Sequence, residues 1–299
     1  MILVTGAETA VGRQIIARLR AADEPVRAVV RDPAQAAAGS YLGAELVAAQ
    51  GDWPALLAGV RAVVVGASDP GDEWDHTLLT HAEERQLGLA AAAAAAGVDS
   101  YVVVSSLGVG RPGPLGERLE AAAYRAELDA RAHNLPLVTL RCAPTFEEIL
   151  ALVAGPWDNW PLFCFGPGDG RLSPLAGADL AAVVVEALRR PELHGRSLDV
   201  VGPETYRWRE LAGVLGRLTG RRVPLWTVPR WLVAVIRVLL SFVSLEQANR
   251  LERAEMIHNS DLSADPTELL AATGVRPAFL ADWYAATTGT TPPAAAPAE

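Results

Sequence analysis

Short runs of aliphatic and β-branched residues alternate with alanine-rich stretches over the first two-thirds of the chain. The runs are almost continuously apolar, as is typical of parallel strands covered on both faces: Ile2–Thr5, Val26–Val30, Glu45–Ala48, Ala62–Gly66, Tyr101–Ser105, Leu137–Arg141 and Leu198–Val201. Helical segments lie between them, at Val11–Ala21, Asp75–Ala96, Gly116–His133 and Asp179–Arg190. This alternation predicts an α/β fold, a doubly wound parallel sheet of the Rossmann type with right-handed crossovers.

The pattern changes after residue 145. Segment 146–171 is rich in Trp, Phe, Pro and Gly and predicts irregular structure with a short helix. Beyond the last strand the pattern predicts a short strand at Val223–Thr227 and helices at 207–219, 229–245, 246–258 and 276–287. We therefore expect a Rossmann domain of residues 1–145 completed by 172–203, a smaller and mostly helical substrate-binding subdomain of 146–171 and 204–287, and a disordered Pro/Ala-rich tail at 288–299.

The first strand runs into a glycine-bearing turn and then a helix, with the sequence LVTGAETAVGR at residues 3–13. In this context, backbone N–H groups and the positive end of the helix dipole lie where a pyrophosphate can bind. Gly6 permits the tight turn, and Gly12 lets the helix pack closely on the strand. The candidate cofactor-binding residues of this turn are Thr5, Gly6, Thr9, Ala10, Val11 and Gly12.

Two residues near this turn bear on how the cofactor binds. Thr9 occupies the place of the usual middle glycine, so its side chain either displaces the pyrophosphate or donates its hydroxyl to a phosphate oxygen. Arg31 and Asp32 follow the second strand, where an acid selects the ribose 2′-OH of NAD and an arginine accommodates the 2′-phosphate of NADP. Arg31 comes first and favours NADP, with NAD as the alternative. In the alternative interpretation, Arg31 is a solvated surface charge and Asp32 caps the helix that follows at Pro33.

The order and spacing of these motifs resemble the atypical short-chain dehydrogenase/reductase superfamily, in particular its NmrA-like, NAD(P)H-binding group. TGAETAVGR resembles that group's TGATGxxGR turn, and VVVSSLGV at 102–109 resembles its fifth-strand serines. Gly51-Asp52-Trp53 is similar to its motif near the adenine, so Asp52 is a further cofactor candidate, as is Ala67 after the fourth strand. The resemblance implies either a small-molecule oxidoreductase or a regulator that binds the nucleotide without turnover.

Reductases of this superfamily use Ser, Tyr and Lys, the last two spaced as YxxxK on the helix after the fifth strand. This chain contains no lysine, because all 26 basic residues are arginines. When the helix is aligned by Glu127, the Tyr and Lys positions fall near Leu119 and Ala123. Of the three catalytic residue types, only serine is therefore present, as Ser105 and Ser106. Another group must donate the proton, or the reaction must be one that water can protonate.

Polar residues after the other strands are candidates for this chemistry, since ligands bind at the carboxyl ends of strands in open α/β sheets. His76 could act as an acid or base, or belong to a solvated loop. Glu147 and Glu148 could have raised pKa values near apolar residues, or form the acidic first turn of a helix. Ser105 and Ser106 either bond a substrate carbonyl or cap the strand end.

The aromatic residues of segment 146–171 have two interpretations. They either form ordinary packing or provide a wall for a flat aromatic or quinone-like substrate, and the candidates for this wall are Trp157, Trp160 and Phe163. The histidines and the two cysteines show no metal-site spacing, so we expect no metal.

Charge and hydropathy limit the classes of partner that the protein can bind. The net charge of −9 argues against a nucleic-acid partner. The most apolar stretch, Trp231 to Leu245, is too short and too charged to span a bilayer, and favours a buried or pocket-lining helix over a membrane-surface one. Because the first strand begins at Ile2, we expect no signal peptide. We expect a cytoplasmic monomer or homodimer that acts on a small molecule.

These observations lead to three hypotheses. The first is an NADP(H)-linked oxidoreductase acting on a small, aromatic, quinone- or enone-like molecule without the Tyr–Lys pair. The second is a non-redox cyclase, dehydratase or isomerase on the same fold. The third is a non-catalytic NAD(P)-sensing regulator.

Overall fold

A computed structural model of the chain describes residues 1–36, 41–48, 52–66, 88–109, 123–153 and 161–289. These residues contain twelve strands: β1 (Ile2–Thr5), β2 (Val26–Val30), β3 (Glu45–Ala48), β4 (Ala62–Val65), β5 (Ser100–Ser106), β6 (Leu137–Cys142), β7 (Leu162–Phe165), β8 (Arg171–Leu172), β9 (Ser197–Val200), β10 (Tyr206–Arg207), β11 (Leu225–Val228) and β12 (Asp261–Leu262). The described α-helices are α1 (Ala10–Ala21), α2 (Pro33–Ala36), α3 (Trp53–Leu56), α4 (Leu89–Ala96), α5 (Ala123–Ala132), α6 (Phe146–Val153), α7 (Gly177–Arg189), α8 (Trp208–Thr219), α9 (Arg230–Ser241), α10 (Leu245–His258), α11 (Thr267–Thr273) and α12 (Leu280–Thr288).

The chain divides into two compact units. Unit 1 comprises Met1–Cys142, Gly177–Val200 and Thr267–Val275, and unit 2 comprises Ala143–Ala176, Val201–Pro266 and Arg276–Glu299. No helix in the described part of the chain is long and apolar enough to cross a membrane.

Unit 1 contains a seven-stranded parallel sheet in the order β3-β2-β1-β4-β5-β6-β9. The order reverses between β1 and β4, which is the crevice where open α/β sheets bind ligands. The predicted doubly wound Rossmann sheet is confirmed.

The strands form because their β-branched residues pack on both faces of the sheet. Leu3, Val63 and Val103 lie fully buried on one face, where Ala93 of α4 packs against them. Helix α1 packs on α7, and its buried stripe of Ile15, Ile16 and Leu19 follows the spacing of an amphipathic helix.

Unit 2 contains two small sheets and several helices. Strand β8 pairs antiparallel with β10 and parallel with β12, and β7 pairs in parallel with β11. Segment 146–171, which was expected to be irregular with a short helix, contains α6, β7 and β8. These strands are only two to four residues long, so their hydrophobic alternation is too brief to be read from the sequence.

Several predicted boundaries are wrong. The helix expected at 229–245 ends already at Ser241, and the helix expected at 246–258 begins after Ser244, whose hydroxyl accepts the Gln247 N–H at 3.3 Å and caps α10. Helix α11 was not predicted, because its seven residues are too few for a clear period. The described part of the expected helix Asp75–Ala96 begins at Leu89, after Gly88 in a left-handed conformation with φ 84°. Residues 290–299 of the predicted disordered tail lie outside the described residues.

Candidate functional site

The turn between β1 and α1 needs both of its predicted glycines. Gly6 has φ 65°, a conformation that side-chain-bearing residues rarely adopt. A Cβ atom on Gly12 would overlap the carbonyl oxygen of Gly6, so the close approach of the helix to the turn requires glycine there. Gly66, which follows β4, was not singled out from the sequence. A Cβ atom on Gly66 would lie 2.5 Å from the carbonyl oxygen of Thr5, so β4 ends tightly against β1.

Thr9 uses its hydroxyl within the turn. Its hydroxyl donates to the carbonyl oxygen of Gly6 at 2.9 Å and accepts the Gly12 N–H at 2.8 Å. Thr9 is therefore the N-cap of α1, with its side chain turned into the protein's own turn.

Capping by Thr9 leaves two donors at the start of α1. The N–H groups of Ala10 and Val11 have no hydrogen-bond partner among the described residues, and Ala10 is exposed. First-turn amides together with the positive end of a twelve-residue helix form a site for an anion. This part of the turn therefore fits the pyrophosphate of a dinucleotide.

Arg31 at the end of β2 is held by a residue of the turn that the sequence analysis did not single out. The Glu8 carboxylate accepts the backbone N–H of Arg31 at 3.0 Å and its Nε–H at 3.3 Å. Arg13 in turn donates to the Glu8 carbonyl oxygen. Glu8 thus places an acceptor at the strand end where the adenosine ribose of a dinucleotide binds. In the sequence, the only indication of a role for Glu8 was the presence of an acidic residue inside a predicted phosphate-binding turn.

The other adenosine-side candidates have simpler surroundings. Asp32 accepts the Ala34 N–H at 2.9 Å, which is the capping interaction considered for it. Asp52 is exposed at the N-cap position of α3 and makes no side-chain capping hydrogen bond there. Ala67 lies outside the described residues.

The two serines lie at the carboxyl end of β5, on opposite faces of the strand. Ser106 accepts the Gly108 N–H at 3.4 Å, an interaction within its own turn. Ser105 is only 4% exposed, and its hydroxyl has no hydrogen-bond partner among the described residues. An unsatisfied buried hydroxyl is costly, so a ligand oxygen that accepts or donates a hydrogen bond there would be stabilised. Thr5 at the end of β1 has a similarly buried hydroxyl without a partner in the described region.

A buried ion pair lies beside Ser105. Arg141 is the register partner of Ser105 on β6, and its guanidinium bonds the Glu127 carboxylate of α5 at 2.9 and 3.4 Å. Glu127 is fully buried, so both charges depend on this pairing. From the sequence, Glu127 was used only to align the helix after the fifth strand with the YxxxK helix of the superfamily. The pairing depends on the sheet register, which the sequence does not reveal.

The remaining catalytic candidates belong to other parts of the chain. Glu147 and Glu148 lie in the acidic first turn of α6 in unit 2. The Glu148 carboxylate accepts the Thr145 N–H at 2.7 Å, and the Glu148 N–H bonds the Thr145 hydroxyl at 3.3 Å, which is a capping box. These contacts favour the capping interpretation for Glu148. His76 lies outside the described residues.

Of the three aromatic candidates, the structure describes Phe163. Its ring packs edge-on against Trp226, with 5.8 Å between centroids, across the β7–β11 pair of unit 2. Trp157 and Trp160 lie outside the described residues. In the described part of the chain, no group of three or more His, Cys, Asp or Glu side chains is placed to hold a metal ion.

Comparison with known proteins adds to this geometry. Residues 6–142 match a family model described as NAD(P)H-binding. The chain is 34% identical over 225 residues to the (4-alkanoyl-5-oxo-2,5-dihydrofuran-3-yl)methyl phosphate reductase of Streptomyces griseus, covering 74% of each chain. It is 27% identical over 230 residues to the NAD(P)H azoreductase of Xenophilus azovorans, covering 75% of each chain. An NADPH-dependent quinone oxidoreductase of Escherichia coli, crystallised with NADPH, has a similar fold, with a TM-score of 0.72 and 22% identity over 96% of this chain and 100% of that chain.

Proposed function

Because the chain belongs to the NAD(P)H-binding, NmrA-like group of the atypical short-chain dehydrogenase/reductase superfamily, we propose that it is an NADP(H)-linked reductase of a small, quinone- or enone-like molecule. The observation that carries this proposal is the pair of unpartnered amides, Ala10 and Val11, at the start of α1. These amides would hold the pyrophosphate, and Arg31 would hold the 2′-phosphate.

The bound nicotinamide would supply a hydride to the substrate. In an enone or quinone the resulting negative charge spreads onto an oxygen, which water can protonate, so a tyrosine–lysine pair is not required. The protein's task is then to stabilise that oxygen. The unsatisfied hydroxyl of Ser105 is our candidate donor.

The relatives support this substrate class. The reductase of Streptomyces griseus is named for a substrate with a ring double bond conjugated to carbonyl groups, and the other two relatives are named for azo and quinone reduction. All three kinds of acceptor are conjugated π-systems that can take up a hydride. In our proposal Trp157, Trp160 and Phe163 contact such an acceptor, and His76, Glu147 and Glu148 stay candidates for proton transfer.

Two experiments in sequence test the proposal. Titration calorimetry with NADPH and NADH should give saturable binding, which Ala10→Pro should weaken because proline removes one of the two amide donors. Loss of NADPH absorbance should then be followed with quinones, azo dyes and alkanoyl butenolides. The absence of any nucleotide binding would overturn the proposal, and tight binding without turnover of any acceptor would favour the regulator hypothesis.

A further inference from the structure

A surface cavity of about 570 Å³ lies within unit 1, between the end of α1, the second half of α7 and the end of α11. Small-molecule sites typically have volumes of roughly 300–1,000 Å³, so the cavity has the size of a ligand site. Its floor is formed largely by small side chains, those of Ala21, Ala22 and Ala182. Its charged side chains are Arg18, Glu186, Arg189 and Arg190. We call this cavity the arginine groove.

The arginine groove is separate from the predicted nucleotide site. Helix α1 begins at the turn that we expect to hold the pyrophosphate, and its twelve residues span about 18 Å before the helix reaches the groove at Ala21. None of the candidate cofactor-binding or catalytic residues lines the groove. A molecule bound there would therefore be a second ligand, in addition to those of the proposed reductase.

One wall of the groove is fixed by contacts within the protein. The Glu186 carboxylate accepts the Nε–H of Arg190 at 3.2 Å. The two remaining nitrogens of Arg190 donate to the carbonyl oxygens of Ala272 and Thr273, at 3.2 and 3.1 Å. Arg190 thus balances the charge of Glu186 and holds the end of α11 in place. This wall is formed without a ligand.

The other two arginines of the groove keep donors available. Arg18 is exposed, and its guanidinium has no hydrogen-bond or ion-pair partner among the described residues. Arg189 is about half exposed and approaches Glu186 only through Nη1, at 3.5 Å. Because Arg190 already balances Glu186, the groove has an excess of two positive charges on a chain of net charge −9.

Helix dipoles account for part of this arrangement only. An arginine in the last turn of a helix is stabilised by the partial negative charge there, and Arg18 of α1 and Arg189 of α7 both occupy such positions. The dipoles do not explain why the two guanidinium groups, from different helices, line one cavity with a floor of alanines. Two unneutralised cations beside an open cavity are the arrangement expected for an anionic ligand.

We propose that the arginine groove binds a small organic dianion, a dicarboxylate or a phosphate ester, between Arg18 and Arg189. The planar fork of a guanidinium matches the paired oxygens of a carboxylate or a phosphate, and the alanine floor accommodates a short carbon skeleton. This inference does not depend on the redox chemistry proposed for unit 1.

Titration calorimetry of the full chain at low ionic strength tests the proposal, with succinate, inorganic phosphate and acetate as the probes. We expect saturable binding of at least one of the two dianions, and binding at least tenfold weaker for acetate, which carries a single charge. Arg18→Gln and Arg189→Gln should each raise the Kd of the dianion at least tenfold. Arg18→Lys should raise it less, because lysine keeps the charge but loses the fork. Tighter binding of succinate would indicate two separate carboxylates, and tighter binding of phosphate would indicate one compact group.

Two variants serve as controls. Arg209→Gln removes an exposed arginine of α8 in unit 2, with the same change in net charge, and should leave the Kd of the dianion within twofold. Ala10→Pro removes an amide donor of the nucleotide turn and should also leave this Kd within twofold, which excludes the turn as the binding site. Circular dichroism checks that each variant is folded.

Several results would overturn the proposal. They are the absence of binding of both dianions, equal binding of acetate, and unchanged dianion binding in Arg18→Gln or Arg189→Gln. A loss in Arg209→Gln as large as in these two variants would mean that only the net charge matters. A loss in Ala10→Pro of that size would assign the anion to the nucleotide turn instead of the arginine groove.

Discussion

The buried hydroxyl of Ser105 has a matched counterpart on its own strand. Ser100, at the opposite end of β5, is also buried and also lacks a side-chain partner in the described region. The two lie about 17 Å apart along the strand, and only Ser105 is at the carboxyl edge where ligands bind. We expect Ser105→Ala to lower kcat/KM for an acceptor by about tenfold, because a hydrogen bond to developing charge is lost.

Ser100→Ala should leave kcat/KM within about twofold, and neither variant should change the Kd for NADPH by more than that. Steady-state kinetics and calorimetry measure both quantities. Equal losses of kcat/KM in the two variants would mean that the strand, and not a hydroxyl at the site, is responsible.

The Glu8 carboxylate reduces the attraction of Arg31 for a 2′-phosphate. A negative charge within about 4 Å of a phosphate costs about 1 kcal/mol in water and more in a partly buried site. The same carboxylate can accept a ribose 2′-OH, so we expect both NADP(H) and NAD(H) to bind. Glu8→Gln should shift the ratio of the Kd values for NADPH and NADH by about tenfold towards NADPH, measured by calorimetry.

Glu45 provides the control for Glu8. It pairs with the Nε of Arg27 at 3.0 Å, in the same manner but at a different place on the sheet. Glu45→Gln should leave the Kd ratio unchanged. A Glu8→Gln protein with an unaltered ratio would show that Arg31 does not face the 2′-phosphate.

The sequence predicted the residues of the turn better than their partners. The positions of Gly6 and Gly12 followed from the motif alone, because their role is a backbone conformation. The roles of Thr9 and Glu8 depend on side-chain rotamers and on a residue of β2, which no local pattern encodes. Departures from a known motif therefore marked where the turn is unusual, without revealing what the substituted side chains do.

At the scale of elements, α5 is attached to β6 by the Glu127–Arg141 pair. Removing one partner leaves an uncompensated buried charge, so Glu127→Leu or Arg141→Met should each lower the free energy of unfolding by about 3 kcal/mol. The double variant should lose less than the sum of the two single losses, because it leaves no lone charge. Urea unfolding measures each value.

The neighbouring Arg131 supplies a control. It approaches Glu127 only to 3.8 Å and is largely exposed, so Arg131→Met should cost less than about 1 kcal/mol. Strictly additive losses in Glu127→Leu and Arg141→Met would contradict the idea that these two residues stabilise each other.

Elements were predicted well where they are long and continuously apolar. All seven strands of the Rossmann sheet fall within one or two residues of their expected limits, since runs such as Ala62–Val65 are buried on both faces. The family resemblance is confirmed by the family match and by the relative in Streptomyces griseus. The predicted cofactor class, NAD(P)H, is confirmed by the same family match and by the related azoreductase. In unit 2, two-residue strands such as β8 exist only through pairing with distant segments, which the sequence does not show.

At the scale of the whole molecule, neither unit is continuous in sequence. Unit 1 is completed by Thr267–Val275, which the chain reaches only after passing through most of unit 2. The Arg190 guanidinium bonds the carbonyl oxygens of Ala272 and Thr273 at 3.2 and 3.1 Å, so this last segment is an integral part of unit 1. Unfolding of unit 2 would leave a long open loop inside unit 1, and we expect the two units to unfold together.

His258 provides a pH-sensitive probe in unit 2. Burial lowers the pKa of its imidazole from 6.5 to about 4, and its Nδ1 accepts the Phe165 N–H at 3.2 Å. The folded protein therefore keeps His258 neutral while the unfolded chain protonates it. Its contribution to stability is fully present above pH 6.5 and is lost as the pH falls towards 4. Between pH 7 and pH 5 this loss is about 2 kcal/mol.

The last prediction combines this probe with a ligand of unit 1. Lowering the pH from 7 to 5 should destabilise the protein through His258 in unit 2, and NADPH at about 100 times its Kd should stabilise it by about 2.7 kcal/mol through unit 1. If the units unfold together, both changes move one and the same transition in calorimetry. His258→Gln should reduce the pH effect relative to a His194→Gln control while keeping the NADPH effect. The contradicting outcome is two separate transitions, one that moves only with pH and one that moves only with NADPH. Each perturbation would then act on its own unit alone, and the crossings of the chain between the units would not couple their unfolding.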